Sequence, residues 1–346
     1  MNAKAMMLQK STKVDDVSPC AQGKQRVRVW TGVTAVALTA VCSSAWPQVD
    51  YPVKPVRMIV AYPPGGVTDV IARVFAKGLA DAFGQQFIIE NKPGAATNIA
   101  AEHAARSAPD GYTLYQTQVA THGVNPVLFE KLSYDAAKDF AAAGLMARST
   151  QFLFVNPGLP IKSVQDLIDY AKAWPGKLAY AYPGMGSPPH IGGELLKARL
   201  GLNILHVAYK GSVQTAPEVI SGRIQFMFDA AALPFARDGR LRVLAVADSK
   251  RWPLEPQIPS LAEGGVPNFD LSGFFAVMAP AKTPEAILEK LNVAMNRISS
   301  QDQVKKILAD SGILVISGNR METNELINHQ IDKWKRYVKE SGARAD

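Results

Sequence analysis

The feature that most constrains the fold is an alternation, along most of the chain, of short β-branched runs with longer amphipathic stretches. This alternation is typical of α/β proteins, whose largely parallel sheets are flanked by helices. The predicted strands are 56–61, 87–90, 113–116, 152–155, 178–182, 204–207, 224–228, 243–247 and 274–279. The predicted helices are 69–83, 100–106, 164–173, 191–200, 215–221, 284–299, 304–310 and 323–341.

The length of the chain indicates two lobes. The 346 residues are 47% hydrophobic, which excludes a disordered chain. Roughly 300 residues remain after the N-terminal segment described below, more than one hydrophobic core usually serves. We expect the chain to cross between lobes near Gln151 and near 270–272, with the ligand cleft between them. Lobe 1 would then comprise residues 46–150 and 273–346, and lobe 2 residues 151–272.

The first 45 residues have the organisation of a secretory signal peptide. Basic residues between positions 24 and 28 precede an apolar run over 29–41, and small residues follow before Trp46. The run is shorter than the roughly 20 apolar residues that a membrane-spanning helix needs. We therefore expect residues 1–45 to be removed and the mature chain to be periplasmic; an uncleaved anchor is the alternative.

Charge and cysteine content both change once this segment is set aside. Residues 1–45 carry six basic and two acidic side chains, so the formal charge falls from +8 to +4, and both cysteines, Cys20 and Cys42, lie there. The remaining charges are interspersed, which gives no support for nucleic-acid binding. The histidines are scattered without the spacing of metal ligands. We expect no metal, no cofactor and no nucleic-acid partner.

The sharpest local feature is the sequence YPPGGVTD at 62–69, between the first predicted strand and the first long helix. Glycines let backbone N–H groups approach a ligand, and the N-terminus of a helix favours negative charge. A carboxylate would fit there. The alternative is an ordinary strand-to-helix turn capped by Thr68 or Asp69.

A second glycine loop, GMGSPPH at 184–190, has the same position in the second half of the chain. Two facing helix N-termini, one from each lobe, would clamp an anion such as a dicarboxylate. The Gly-x-Gly pattern of this second loop is only a weak indication of a dinucleotide-binding site, because Pro189 occupies the position of the third glycine in that motif. Ser187 and His190 could instead be the nucleophile and base of a secreted serine hydrolase or esterase. No nucleophile elbow surrounds Ser187, however, and a serine beside a helix is more often a cap.

Two further strand ends carry polar groups. The stretch 209–212 follows a predicted strand and offers backbone donors and a hydroxyl. Asp229 ends another strand at the edge where α/β proteins bind ligands. Its carboxylate could orient a ligand hydroxyl, an amine or a bridging water, or cap the next helix.

Several short motifs occur in a specific order. They are YPxKP at 51–55, PPGGxxD at 63–69, ENxPGA at 90–95, PDGYTL at 109–114, GSxxH at 186–190, HVxYKG at 206–211 and MFD at 227–229. With these motifs the chain resembles the substrate-binding proteins of tripartite tricarboxylate transporters, also called Bug-type solute receptors. The resemblance runs from Tyr51 to about Gly342.

The resemblance implies a two-lobed periplasmic binding protein, type II-like, whose lobes are mostly parallel sheets flanked by helices. Such a protein closes on a small carboxylate and delivers it to membrane permease subunits, without catalysis; we expect a monomer. A receptor that reports its ligand to a signalling partner is an alternative. The implied first wall of the cleft is Tyr62, Gly65, Gly66, Thr68 and Asp69. The implied second wall is Gly186, Ser187 and His190, with Tyr209 and Asp229 closing the cleft from lobe 2 and Gln118 to His122 from lobe 1.

The sequence departs from this family at Tyr182, where a small polar residue is common. A phenol at the mouth could shorten the pocket or stack on an aromatic ring of the ligand. The alternative is that Tyr182 turns away and packs between the lobes. Aliphatic and aromatic carboxylates therefore both remain candidates, among which a dicarboxylate is favoured.

Overall fold

The computed structural model describes residues 50–230 and 232–344, so the predicted signal peptide lies outside the described residues. The strands are β1 (Val56–Val60), β2 (Phe87–Asn91), β3 (Thr113–Gln118), β4 (Phe140–Ser149), β5 (Phe152–Val155), β6 (Ala179–Tyr182), β7 (Leu205–Ala208), β8 (Phe226–Asp229), β9 (Arg242–Val246), β10 (Gly273–Pro280) and β11 (Leu314–Val315). The helices are α1 (Val67–Phe83), α2 (Asn98–Ala105), α3 (Asn125–Leu128), α4 (Val164–Ala173), α5 (Pro188–Leu200), α6 (Ser212–Ile220), α7 (Leu233–Arg237), α8 (Glu285–Ser300), α9 (Asp302–Ala309) and α10 (Arg320–Ser341). Within this part of the chain, no helix combines the length and apolar character needed to cross a membrane.

The strands form two sheets, which confirms the predicted α/β class. Sheet A has the order β11-β4-β10-β3-β1-β2, and sheet B has the order β7-β6-β8-β5-β9. The chain passes from sheet A to sheet B between β4 and β5 and returns between β9 and β10. The residue-level boundaries of the lobes stay a prediction.

Strand direction explains where the cleft lies. β1 to β4 share one direction in sheet A, while β10 runs against its neighbours β3 and β4. In sheet B, β6 to β9 share one direction and β5 is reversed. The chain enters β5 and β10 directly after changing sheets. Since the co-directional strands end at the cleft, a chain that crosses there must run away from it in the next strand.

Helix α1 illustrates how local sequence produces these elements. Ile71, Phe75 and Leu79 recur at four-residue spacing, and all three are fully buried against sheet A. Gly84 ends the helix in the left-handed conformation, with φ 67°, and donates its N–H to the Ala80 carbonyl. The apolar stripe thus holds the N-terminus of α1 at the carboxyl end of β1.

Helix α10 contacts elements of both sheets. It packs on α3 and β4 and also on α5. Arg199 in α5 makes two hydrogen bonds to the Glu340 carboxylate in α10, at 2.7 and 3.0 Å. The C-terminal helix therefore joins the two halves on the side where the chain crosses between the sheets.

Helix α5 lies directly against sheet B at a glycine. A Cβ built on Gly193 would lie 2.2 Å from two ring atoms of Tyr180. The Tyr180 ring cannot withdraw easily, since its hydroxyl donates to Glu194 at 2.7 Å and the ring stacks on Phe226. The close approach of α5 to β6 therefore depends on glycine at position 193.

We expect Gly193→Ala to destabilise the protein by about 3 kcal/mol, because the added methyl group overpacks a rigid contact. In an exposed helix the same change would stabilise by about 1 kcal/mol. Urea unfolding of the mature chain measures the difference. Gly201→Ala is the matched control, since its Cβ would meet open space and only its left-handed φ of 63° opposes alanine, at about 1 kcal/mol. A Gly193→Ala protein as stable as the wild type would contradict the packing argument.

Candidate functional site

A cavity of about 200 Å³ lies where the strands of both sheets end. Its walls come from the loops that precede α1, α5 and α6, from the ends of β3 and β8, and from the chain that enters β10. Three helices thus begin at one cleft. The protein groups that a ligand meets there depend on how each helix N-terminus is capped.

Helix α1 begins at the cavity with unoccupied backbone donors. Gly66 is its N-cap residue, and no side chain among the described residues caps it, while Gly66, Val67 and Thr68 all line the cavity. The first N–H groups of a helix have no carbonyl partner within the helix. These donors are therefore available to an anion, and the anion-binding role of the first glycine loop stays a prediction.

Asp69 lies behind this loop and does not line the cavity. Its carboxylate accepts hydrogen bonds from the Gly65 N–H at 3.0 Å, from Arg73 at 2.8 Å and from Asn91 at 3.0 Å, and the residue is 2% exposed. Burial would raise the pKa of Asp69, but the hydrogen bonds from Arg73, Gly65 and Asn91 lower it below its usual value. Asp69 therefore holds Gly65, which has φ +86°, and its charge is balanced by Arg73.

Helix α5 offers no such donors, which corrects the expectation of two equivalent glycine loops. Pro188 and Pro189 are its first two residues and have no N–H. The N–H of His190 donates to the Ser187 hydroxyl, which itself donates to the Gly184 carbonyl at 2.7 Å. Ser187, Pro188 and Pro189 line the cavity. The second loop therefore contributes a mainly apolar wall.

His190 faces away from the cavity. Its Nδ1 accepts the Gly186 N–H at 3.2 Å, and its ring lies on the Tyr182 ring with centroids 4.6 Å apart. Burial lowers the pKa of His190 to about 4, so the ring is neutral near pH 7. The Ser187 hydroxyl bonds to Gly184 and to the backbone of His190. The nucleophile and base pair of the hydrolase alternative is therefore not formed.

Helix α6 supplies the second set of unoccupied donors. Gly211 is its N-cap residue without a side-chain cap, and Lys210, Gly211, Ser212 and Val213 line the cavity. Within the described residues, the exposed ammonium group of Lys210 makes no ion pair. In the sequence, the stretch 209–212 lies between a predicted strand and a predicted helix. Only Tyr209 of this stretch was included among the predicted site residues.

Gln118 places a buried donor at the end of β3. Its Nε2 is buried and has no hydrogen-bond partner among the described residues, although Gln118 lines the cavity. Burial raises the pKa of Tyr62, whose hydroxyl lies beside this side chain. A buried donor without an acceptor costs about 1 to 3 kcal/mol, so an acceptor on a ligand would stabilise this arrangement.

Three other predicted residues lie outside the cavity wall. Tyr182 is buried against His190, so it packs inward and does not form the mouth. His122 is fully buried, and its Nδ1 lies 2.6 Å from the Thr117 hydroxyl; burial lowers its pKa to about 4. The hydroxyl of Tyr209 donates to Glu218. These residues support neighbouring segments and do not face a ligand directly.

The structure thus divides the predicted site residues into two groups. Those that line the cavity are Tyr62, Gly66, Thr68, Gln118, Ser187 and Asp229. Those that lie behind the wall are Gly65, Asp69, His122, Tyr182, Gly186, His190 and Tyr209. Asp229, which is 4% exposed, ends β8 as the sequence predicted.

Further lining residues come from the two crossings between the sheets. Ser149 is the last residue of β4 and Gln151 lies between β4 and β5, while Phe274 and Phe275 lie at the start of β10. The sequence predicted crossings near Gln151 and 270–272. The predicted site residues did not include these side chains, although a segment that crosses between sheets at a cleft must line that cleft. Aromatic and apolar surface therefore lines the same cavity as the two groups of donors.

Comparison with known sequences gives a consistent result. A family model described as tripartite tricarboxylate transporter family receptor matches residues 71–343. The protein BugT of Bordetella pertussis is 35% identical over 297 residues, which are 85% of this chain and 91% of BugT. The similarity therefore includes both sheets.

Two solved structures from Rhodopseudomonas palustris are similar over nearly their whole length. Rpa4515 with adipate has a TM-score of 0.80 and 33% sequence identity, covering 85% of this chain and 99% of that one. MatC with bound malate has a TM-score of 0.77 and 31% identity, covering 83% of this chain and 100% of that one.

Proposed function

Because the chain belongs to the tripartite tricarboxylate transporter receptor family, we propose that it captures a small dicarboxylate in the cleft between its two sheets. The receptor then delivers this ligand to the membrane permease subunits of its transporter. It acts as a monomer in the periplasm, after removal of residues 1–45. The basic, apolar and small residues of that segment support export.

The observation that carries the proposal is the pair of uncapped helix N-termini at one cavity. Helix α1 comes from the sheet A side and α6 from the sheet B side. Each N-terminus carries a partial positive charge and free N–H donors, so each suits one carboxylate. Lys210 adds a full positive charge beside α6, and the Nε2 of Gln118 adds a donor without a partner among the described residues.

The apolar part of the cavity wall indicates what joins the two carboxylates. Val119, Pro188 and Phe274 line the same cavity as the donors, so an apolar chain or ring fits there. Asp229 would repel a third carboxylate nearby and could accept a hydrogen bond from a hydroxyl group or a bridging water. Adipate and malate, named in the two similar structures, are dicarboxylates without and with a hydroxyl group. Both are suitable first probes.

A thermal-shift screen of the mature chain tests the proposal. The set contains adipate, malate, an aromatic dicarboxylate, a tricarboxylate and monocarboxylates, with adipamide as the uncharged control for adipate. We expect a dicarboxylate to raise the melting temperature, since a ligand at 100 times its Kd adds about 2.7 kcal/mol. Adipamide should give no shift. If adipamide stabilises as well as adipate, or if no carboxylate stabilises, the proposed ligand class is wrong.

The hydrolase alternative receives no support from the site. A serine nucleophile needs a base within hydrogen-bonding reach of its hydroxyl. The Ser187 hydroxyl instead donates to Gly184, and the Nδ1 of His190 accepts from Gly186. Both side chains are used to build the loop.

A further inference from the structure

The two glycine loops share one hydrogen-bonding arrangement despite their different walls. In the first loop the Gly65 N–H donates to the Asp69 carboxylate at 3.0 Å, and in the second the Gly186 N–H donates to His190 Nδ1 at 3.2 Å. The acceptor is four residues after the glycine in both cases, within the first turn of the helix. Both glycines have left-handed φ values, +86° and +71°.

The second loop touches the opposite side of the cleft at the glycine itself. A Cβ built on Gly186 would lie 3.0 Å from Cδ2 of Leu128 and 3.3 Å from Oδ1 of Asn125, both in α3. The loop before α5 on the sheet B side therefore meets a helix on the sheet A side at Gly186. A small displacement of Gly186 changes this contact and the adjoining wall formed by Pro188 and Pro189.

We propose that His190 is a positioning residue for ligand capture, acting through the Gly186 N–H, and that protonation of its imidazole releases the second loop from α3. The link to capture rests on the proposed function. Only a neutral imidazole can accept at Nδ1, because a protonated ring carries N–H at both nitrogens. Its proton then sits on Nε2. Asp69 is the equivalent residue of the first loop. Its pKa lies below its usual value, so its carboxylate remains an ionised acceptor at a lower pH than the His190 ring remains neutral.

The groups around His190 determine the pH at which this release occurs. They are Glu194 and Lys197 on α5, His206 on β7, and Tyr182 on β6. Burial lowers the pKa of His190 to about 4, the Glu194 carboxylate opposes this, and His206 and Lys197 add to it. Burial raises the pKa of Tyr182, which therefore stays neutral.

The sign of the pH effect follows from these shifts. An unfolded histidine titrates near 6.5, so the folded state disfavours protonation of His190. The stabilisation of the loop is complete above about pH 6.5 and decreases as the pH falls towards 4. Ligand capture by the folded protein should weaken as the pH falls through about 4, where the folded imidazole gains its proton.

Two variants separate positioning from simple packing. His190→Asn keeps an acceptor at the place of Nδ1 and cannot be protonated there, whereas His190→Gln moves its polar atoms one bond further out. Amide hydrogen exchange of Gly186, followed by NMR, reports the bond without any ligand. We expect exchange about tenfold faster in His190→Gln and close to wild type in His190→Asn, since one hydrogen bond is worth about 1.4 kcal/mol. Equal Gly186 exchange in His190→Gln and wild type would overturn the proposal.

Adipate binding by calorimetry at pH 7 and pH 3.5 tests the pH dependence, since His190 has a pKa of about 4 and is mostly protonated only below that pH. The titration of adipate itself cancels when two proteins are compared at the same pH. We expect wild type to lose several-fold more affinity than His190→Asn between the two pH values. An identical loss in both proteins would exclude His190 as the titrating group. If adipate binds to neither protein, the proposed ligand is wrong, and Gly186 exchange across the same pH range decides the role of His190.

Discussion

Replacing Gln118 with glutamate is expected to lower the affinity for a dicarboxylate by roughly 100-fold or more. The wild-type Nε2 is a buried donor with no partner among the described residues, at the cavity wall. Glutamate removes this donor and places a negative charge where the ligand brings one. Two like charges about 4 Å apart repel by about 4 kcal/mol at an effective dielectric constant near 20.

Isothermal titration of Gln118→Glu and Gln118→Leu with adipate measures this effect. Leucine removes the donor without adding charge, so we expect a loss of about tenfold. The difference between the two variants therefore isolates the charge. Affinity in Gln118→Glu equal to that of the wild type would mean that no carboxylate binds near β3. Circular dichroism and the melting temperature of the free proteins check that both variants fold.

The second large effect is expected from Val67→Pro, which removes one backbone donor from the N-terminus of α1. Val67 is the first residue of the helix, a position that proline favours, and the preceding Gly66 has an extended backbone with φ −79° and ψ 168°. The helix should therefore form normally. A hydrogen bond to a charged group contributes about 1.5 to 3 kcal/mol, so the affinity should fall by about 10-fold to 150-fold.

Val67→Ala is the matched control, because it shortens the same side chain and keeps the N–H. Ser212→Pro with Ser212→Ala repeats the comparison at the first residue of α6. Calorimetry with adipate should show a larger loss for each proline variant than for its alanine partner. Wild-type affinity in Val67→Pro would exclude α1 as a carboxylate site, and the same result in Ser212→Pro would exclude α6.

The sequence predicted most strands and helices because their signals are local. Strand β1 is β-branched and α1 has an apolar stripe at helical spacing, so both were found. Strand β4 was missed, since its sequence FAAAGLMARS is rich in alanine and has no β-branched residue. It is a strand because it pairs with β10 along its whole length. Pairing between distant segments supplies what local preference lacks.

The left-handed turn at Ala95–Thr97 shows the same limit within the site region. Ala95, Ala96 and Thr97 all have positive φ values, which are unfavourable for residues with a side chain. The Nδ2 of Asn125 donates to the Ala96 carbonyl at 2.6 Å, and the Thr97 hydroxyl lies 3.0 Å from the Thr121 hydroxyl. Partners distant in sequence thus stabilise a conformation that the local residues disfavour.

The capping of the three helices at the cleft divides what the sequence determined from what the tertiary structure decided. By itself, the sequence determined that positions 188 and 189 offer no N–H group, because both are proline. It also determined that α1 begins after two glycines. Only the tertiary structure decided that α1 and α6 begin at the same cavity and that Asp69 and His190 turn back to hold their loops. Capping depends on neighbouring residues in the chain, whereas the approach of two helix N-termini depends on how two sheets pack, and no local pattern encodes that.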